Sequence, residues 1–418
     1  MSYADYRPYL PSSEQSRIAG KTSEEHAAGR LATPRAADLF QQWGTLADRP
    51  FIGITNDGKT KGDLFALRPE GAPSEKMAMA AGRLLESLTP EEKKKSHHPV
   101  ESPLWLKWQN TEIFVEKHGL RLEYVKHPVR DLVLEVLRAS LSDKGYQNTV
   151  GVMQLNAFLG MLLGAQGVIG EWSYNFCIFG DPSTIDPWGW QLWGHHLSVS
   201  CLTLNGQMVL TPCFLGAELC YADQGPFKGL TMFKDHERLG LELMNALPSK
   251  YQERALICES MKANDLPEGR SHFADYLMLG GAYRDNRIVP YEGMPAGSFS
   301  ASERNRLLDL VDEYIGNMPE GPRNAKMAEF ERQLSDTHFC WIGGTGVNDP
   351  FYYRIQSPVV FIEFDHHPGL FLTNQEALKY HVHTVVRTPN GNDYGIDLLR
   401  QHYSHSHLHS DKTGHDHQ

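Results

Sequence analysis

Two histidines separated by one residue lie in the segment His381-Val382-His383, near the C-terminal end of the chain. The surrounding residues 380–387 alternate as a strand does, which places both imidazoles on one face, about 6.6 Å apart along the backbone. At that spacing both rings can reach one ion, and histidine nitrogen is a common ligand of transition metals. The pattern fits a half-exposed strand without a metal equally well. Our hypothesis is that His381 and His383 are metal ligands.

A second pair, His195 and His196, lies in residues 179–217, a stretch that also holds three tryptophans. Read as strand residues, the two side chains point to opposite faces, so only one of them faces a given pocket. His196 would share its face with small hydroxyl residues, which favours it as a third metal ligand and leaves His195 as a catalytic residue. The residues predicted to bind substrate here are Trp188, Trp190 and Trp193.

Two acidic residues end the apolar segment 359–365, and a buried carboxylate is costly unless it is paired or coordinated. We predict Glu363 as a metal ligand or a catalytic base, completing a site with His381 and His383 if the two strands are neighbours. For Asp365 we prefer a role in forming the turn. Arg387 begins a turn-rich loop, where a fixed cation could act in catalysis by binding a substrate carboxylate.

The spacing of apolar residues predicts helices in the N-terminal half and strands in the last quarter. Residues 302–315 form the clearest helical pattern. Residues 197–204 and 207–211 alternate as strands around an Asn-Gly turn. We therefore predict an α+β fold, with a helical N-terminal half packed on a largely antiparallel sheet formed by this central hairpin and the C-terminal strands. The predicted divisions are an arm (1–35), a single large catalytic domain (36–403) and a flexible histidine-rich tail (404–418).

Composition limits the classes of partner. A net charge of −11 over 418 residues argues against nucleic acid. No apolar run reaches the length of a membrane span, and no secretory signal is visible, so we expect a soluble, cytoplasmic protein with no membrane partner. The six cysteines contain no C-x-x-C pair and predict reduced thiols. A small-molecule substrate is the expected partner, and homo-oligomerisation stays open.

Five segments, taken in order, resemble a family of bacterial and fungal proteins catalogued only as domain of unknown function 3500. They are WGWQLWGHHLSVS, TPCFLGAE, YYRIQSPVVFIEF, HVHTVVRTPNGNDYG and DLLRQHY. The resemblance covers roughly residues 100–403 and includes a G-H-H-L and an H-x-H segment that members share. The family has no established activity, so the resemblance supports the site more than the reaction. This chain departs from many bacterial members at residues 365–368, which implies a distinct substrate mouth.

Three hypotheses about function stay open. In the first, a divalent transition metal, zinc before copper or iron, activates water in a hydrolase of a small ester, lactone or amide. In the second, the same ligands hold iron or copper in an oxidase or oxygenase. In the third, a tryptophan-lined pocket binds a small molecule without catalysis. The chain has no serine or cysteine nucleophile motif, which favours a metal-dependent enzyme over covalent chemistry.

Overall fold

The computed structural model describes residues 5–12 and 16–410, with the backbone alone for residues 405–410. The described residues form eleven α-helices and thirteen strands. The helices are α1 (Ser23–Leu31), α2 (Pro34–Ala47), α3 (Ser74–Ser87), α4 (Pro90–Ser96), α5 (His127–Ser140), α6 (Asp143–Leu162), α7 (Lys234–Ala246), α8 (Ser249–Ala255), α9 (Ala301–Ile315), α10 (Glu320–Arg332) and α11 (Ile396–Ser410). None of these helices is long and apolar enough to cross a membrane.

The strands belong to one sheet, in which all pairs except β1 with β3 and β8 with β10 are antiparallel. They are β1 (His97–His98), β2 (Leu120–Arg121), β3 (Tyr174–Phe179), β4 (Trp188–Gly194), β5 (Leu197–Leu204), β6 (Gln207–Val209), β7 (Cys213–Glu218), β8 (Leu256–Cys258), β9 (Met294–Pro295), β10 (His338–Gly343), β11 (Phe351–Gln356), β12 (Phe361–His367) and β13 (Leu378–Arg387). The main order is β1-β3-β4-β5-β7-β13-β12-β11-β10-β8. The predicted α+β class with a largely antiparallel sheet is confirmed.

The predicted clear helix is α9. It begins with a capping box, in which the Ser300 hydroxyl accepts from the Glu303 backbone N–H and the Glu303 carboxylate accepts from that of Ser300. Leu307, Leu310 and Val311 then bury one stripe of the helix. The stripe joins α9 to the main apolar core, which lies between the sheet and helices α3, α5, α6 and α7.

The opposite face of the sheet carries a second, smaller core. It packs Trp193 and Val385 of the sheet against Trp43 of α2, the segment around Trp108 and the segment around Leu279. Strand alternation sends His381, His383, Glu363 and Asp365 toward this second face. The polar side chains are therefore covered by irregular segments and not by the long helices of the main core.

Parts of both chain ends pack into the main domain, although the predicted division placed them outside it. Tyr6 and Ile18 of the predicted arm are buried in the main core, and α1 and the start of α2 fall within residues 1–35. Helix α11 runs through the start of the predicted tail, as far as Ser410. The rest of that tail, residues 411–418, lies outside the described residues.

Candidate metal centre

His195 and His196 form the two-residue turn between β4 and β5, since Gly194 pairs directly with Leu197. His196 has a positive φ of 60°, a conformation that histidine adopts more readily than most residues. The interpretation of the pair as strand residues on opposite faces is therefore wrong. Their rings stack on the same side of the turn, with centroids 3.9 Å apart.

Strand β13 brings His381 and His383 to this turn. It pairs with β7 on one side and β12 on the other, which places His383 between Gly216 and Asp365. Gly216 keeps the space between the rings open. A Cβ there would lie 3.0 Å from Cδ2 of His383 and 3.4 Å from Cδ2 of His196.

Three imidazole nitrogens converge at this point. The Nε2 atom of His381 lies 3.2 Å from Nε2 of His196 and 3.1 Å from Nε2 of His383. All three residues are buried. Two imidazoles bound to one tetrahedral zinc at about 2.0–2.1 Å have nitrogens about 3.3 Å apart, so the spacing fits a shared ion with little movement. The structure thus brings together three of the four predicted ligands.

The backbone determines which nitrogen of His381 carries the proton. Its Nδ1 lies 2.7 Å from the carbonyl oxygen of Pro368, which can only accept a hydrogen bond. Nδ1 therefore donates, and the neutral ring presents a lone pair at Nε2. Burial lowers the pKa of His196, His381 and His383 well below the ordinary value, so all three rings are neutral. A hydrogen bond to the far nitrogen of this kind commonly orients a metal-binding histidine.

Asp365, His367 and His383 form a second group whose potential ligand atoms lie within 4.8 Å of one another. Asp365 is an internal residue of β12, which continues to His367, so the preferred turn-forming role for Asp365 is wrong. Neither carboxylate oxygen of Asp365 has a hydrogen-bond partner among the described residues, and neither has Nε2 of His367. Burial, followed by the charge of Glu363, raises the pKa of Asp365 well above its ordinary value.

Glu363 lies apart from both groups. Its carboxylate accepts hydrogen bonds from the backbone N–H groups of Leu279 and Gly280, at 2.8 to 3.0 Å, and from the hydroxyl of Tyr352 at 2.7 Å. In this arrangement the carboxylate attaches the segment around residue 279 to the sheet. The geometry gives no support to the predicted roles of Glu363 as ligand or base.

Arg387 is fully buried and engaged within the protein. Its Nε donates to Asp393 at 2.8 Å, Nη1 donates to the carbonyl of Gly280 at 2.9 Å, and Nη2 donates to Asp285. These contacts connect the end of β13 to two loops. The predicted roles in catalysis and in binding a substrate carboxylate therefore have no geometric support.

The three predicted substrate-binding tryptophans lie in the cores on both faces of the sheet, so they do not line one pocket. Trp188 and Trp190 belong to the main core, where their Nε1 atoms donate to the Ser183 carbonyl and the Ser140 hydroxyl. Trp193 belongs to the second core and stacks on His118. The hypothesis of a non-catalytic, tryptophan-lined binding pocket gains nothing from this placement.

His195, predicted to be catalytic, stacks on His196 but belongs to neither group. Its Nδ1 donates to the side-chain oxygen of Asn156 at 2.7 Å, and the Asn156 amide is oriented by donating to Gly170. Its Nε2 therefore keeps a lone pair, which has no partner among the described residues. This ring lines a small cavity together with Glu112. Burial lowers the pKa of His195 to about 4.

An open cleft lies on the side of Pro368 that faces away from the histidines. Pro368 and Tyr276 line the cleft. On their inner side, the Pro368 carbonyl contacts His381 and His367, and the Tyr276 ring lies 5.0 Å from the ring of His367. One layer of residues therefore separates the histidine groups from the cleft. Sequence reasoning missed His367, although its position two residues after Asp365 on an alternating strand was a signal for it.

A family model described as "Protein of unknown function (DUF3500)" matches residues 70–396, which is most of the chain. The chain belongs to this family, and the resemblance deduced from the five sequence segments is confirmed. No curated protein and no solved structure matches the chain.

Proposed function

We propose that this family member is a metal-dependent enzyme in which His196, His381 and His383 bind a divalent transition metal ion. The observation that carries the proposal is the convergence of three Nε2 atoms at 3.1 to 3.2 Å in a buried site. At least the Nε2 of His381 is held there as a lone pair by the Pro368 carbonyl. The Nε2 atoms of His196 and His383 both face that lone pair, so an ion at the centre would be bound by all three neutral rings once each presents a lone pair.

We infer that the reaction is hydrolysis of a small ester, lactone or amide, and that zinc is the metal. Catalytic zinc sites typically have three protein ligands and an open fourth position, at which the ion activates a water molecule. The buried carboxylate of Asp365 lies 3.8 Å from Nδ1 of His383, and neither of its oxygens has a hydrogen-bond partner at ordinary distance among the described residues. It is suited to accept a proton beside the histidines. A small substrate would approach from the cleft next to Pro368, because Pro368 and Tyr276 line that cleft and contact the histidines on their inner side.

An oxidase or oxygenase is the alternative, and one observation favours it. Asp365, His367 and His383 are two histidines and one carboxylate within 4.8 Å. That combination, with open positions, is the ligand set of many non-haem iron oxygenases. Iron or copper would then replace zinc, and dioxygen would be a co-substrate.

Metal analysis of the full-length chain tests the proposal. We expect His196→Ala and His381→Ala each to contain less metal per chain than the wild type, because each removes one of three nitrogens. His127→Ala, which changes an exposed histidine on α5, is the matched control and should leave the content unchanged. Comparing variants removes the contribution of the histidine-rich tail, which all of them share. Unchanged metal content in both site variants would overturn the proposal.

A second assay separates the two chemistries. If the enzyme is a zinc hydrolase, a panel of aryl esters, lactones and anilides should include a substrate whose turnover stops with a chelator and returns with zinc. Oxygen uptake that depends on iron or copper would instead support the oxidase. His127→Ala should behave as the wild type in both assays, whereas His196→Ala should be inactive.

A further inference from the structure

We propose that the site holds a second metal ion, bound by Asp365, His367 and His383, beside the ion of the three-histidine group. This inference rests on the proposed function for the first ion. It concerns a metal site with a carboxylate ligand, so its chemistry differs from that of the all-nitrogen set. The two groups share His383, whereas Asp365 and His367 belong only to the second.

The first argument is the set of acceptor atoms that have no donor. Both oxygens of Asp365 and Nε2 of His367 are buried without a hydrogen-bond partner among the described residues. Asp365 is completely shielded from solvent. An unpaired carboxylate in the interior is strongly unfavourable unless it takes up a proton or a cation or a donor compensates it. A divalent cation compensates all three atoms at once, because each offers a lone pair.

The second argument is the orientation of His367. Its Nδ1 lies 2.9 Å from the carbonyl oxygen of Pro368, the same oxygen that accepts from Nδ1 of His381. One carbonyl has two lone pairs and can accept both protons. Each ring therefore has a lone pair on Nε2. The lone pair of His381 faces the first group, and that of His367 is available to the second group. A single backbone oxygen thus orients one ligand of each ion.

The third argument is the position of His383 between the groups. Its Nε2 lies 3.1 Å from Nε2 of His381, and its Nδ1 lies 3.8 Å from Oδ1 of Asp365. The two nitrogens therefore face different sets of ligands. Both can bind metal only if the ring releases its N–H proton to solvent, and two neighbouring cations favour that loss. His383 would then bridge the two ions as an imidazolate, with no change in oxidation state.

The number of metal ions bound per chain distinguishes a site with one ion from a site with two. We expect His196→Ala to contain one zinc per chain fewer than the wild type, Asp365→Asn one fewer, and the double variant two fewer. Asp181→Asn, which changes an exposed aspartate, is the matched control for Asp365→Asn. Asparagine nearly preserves the shape of aspartate, and circular dichroism checks that each variant is folded. His367→Gln provides an independent variant of the second site.

The outcomes distinguish the two proposals. A decrease in His196→Ala, with no decrease in Asp365→Asn or His367→Gln, would overturn the second ion and leave the first. A double variant that loses no more than either single variant would show one shared ion and also overturn it. Unchanged content in His196→Ala would reject the proposed function itself.

Copper(II) ions bridged by one imidazolate couple magnetically, so filling both sites should reduce the electron paramagnetic resonance intensity per copper below that of isolated ions. The His367→Gln variant has the same histidine-rich tail and lacks a ligand of the second site, so it serves as the reference. Equal intensity per copper in the wild type and in this variant would contradict the bridged pair.

Discussion

At the scale of single residues, Gly216 determines how closely the imidazoles of His196 and His383 approach. An added Cβ would lie 2.8 Å from the Val382 carbonyl oxygen and 3.0 Å from the His383 ring. We predict that Gly216→Ala displaces these rings, weakens zinc binding and lowers the free energy of unfolding by about 1–3 kcal/mol. Competition with a chelating dye measures the affinity. Gly44→Ala, at a site with open space around it, is the control, and equal zinc affinity in both variants would contradict the prediction.

The carboxylate of Glu363 tests the difference between a ligand and a structural anchor. Glu363→Gln places an amide NH2 against backbone N–H donors and removes a charged acceptor. We predict unchanged metal content and a free energy of unfolding lower by about 1.5–3 kcal/mol. Urea denaturation and metal analysis of the same preparation measure both. Loss of metal with unchanged stability would restore Glu363 as a ligand.

The sequence pattern predicts which histidines belong to the site better than it predicts the roles of the charged residues near it. That His381 and His383 share a face follows from strand alternation, which is a local property. Glu363 and Arg387 each have partners in the irregular segment around residues 279–285, which no periodicity could place. A buried charged residue can be a metal ligand or a member of an ion pair within the protein, and the sequence does not distinguish these roles until its neighbours are known.

At the scale of elements, the two tight hairpin turns show what local chemistry can predict. Asn205 and Gly206 both have positive φ, as the predicted turn requires, and they connect β5 to β6. The His195-His196 turn lacks the usual Asn or Gly, so no turn signal revealed it. The pairing of β7 with β13, which brings His196 to His381, joins strands far apart in the sequence. Strand patterns alone do not specify such neighbours.

The segment around Tyr276 covers the site on the side of the cleft. The Tyr276 ring lies against His367, and its hydroxyl donates to the carbonyl of Met261. We predict that Tyr276→Ala opens this side and lets a chelator remove bound metal faster than from the wild type. Tyr276→Phe keeps the ring and should show a rate close to that of the wild type. Equal rates in the alanine and phenylalanine variants would mean that metal leaves by another route.

At the scale of the whole molecule, the sheet carries a different kind of core on each face. Long helices close the main core, whereas α2 and several irregular segments close the second face, where the polar groups of β12 and β13 lie. The sequence patterns did not predict this division, because tryptophans contribute to both faces. A site beneath irregular segments can be reached by local rearrangement, which a site beneath packed helices cannot.

Buried histidines should make the whole fold sensitive to acid, and His236 isolates the effect away from the metal centre. Burial, with a smaller effect of Lys144, lowers the pKa of His236 from 6.5 to about 3, and Glu313 lies 3.4 Å from its Nδ1. Between these two pKa values the unfolded chain binds a proton that the folded chain does not, so stability falls as the pH decreases. At pH 5 the loss amounts to about 2 kcal/mol.

His236→Phe keeps a ring against Tyr314 and removes the titrating group. We therefore expect the wild type to lose about 2 kcal/mol more than the variant between pH 7 and pH 5, measured by urea denaturation. The metal ligands are identical in both proteins, so their own response to pH cancels in the comparison. An equal loss of stability in the two proteins would show that His236 is protonated in the folded state, and that its burial does not keep it neutral.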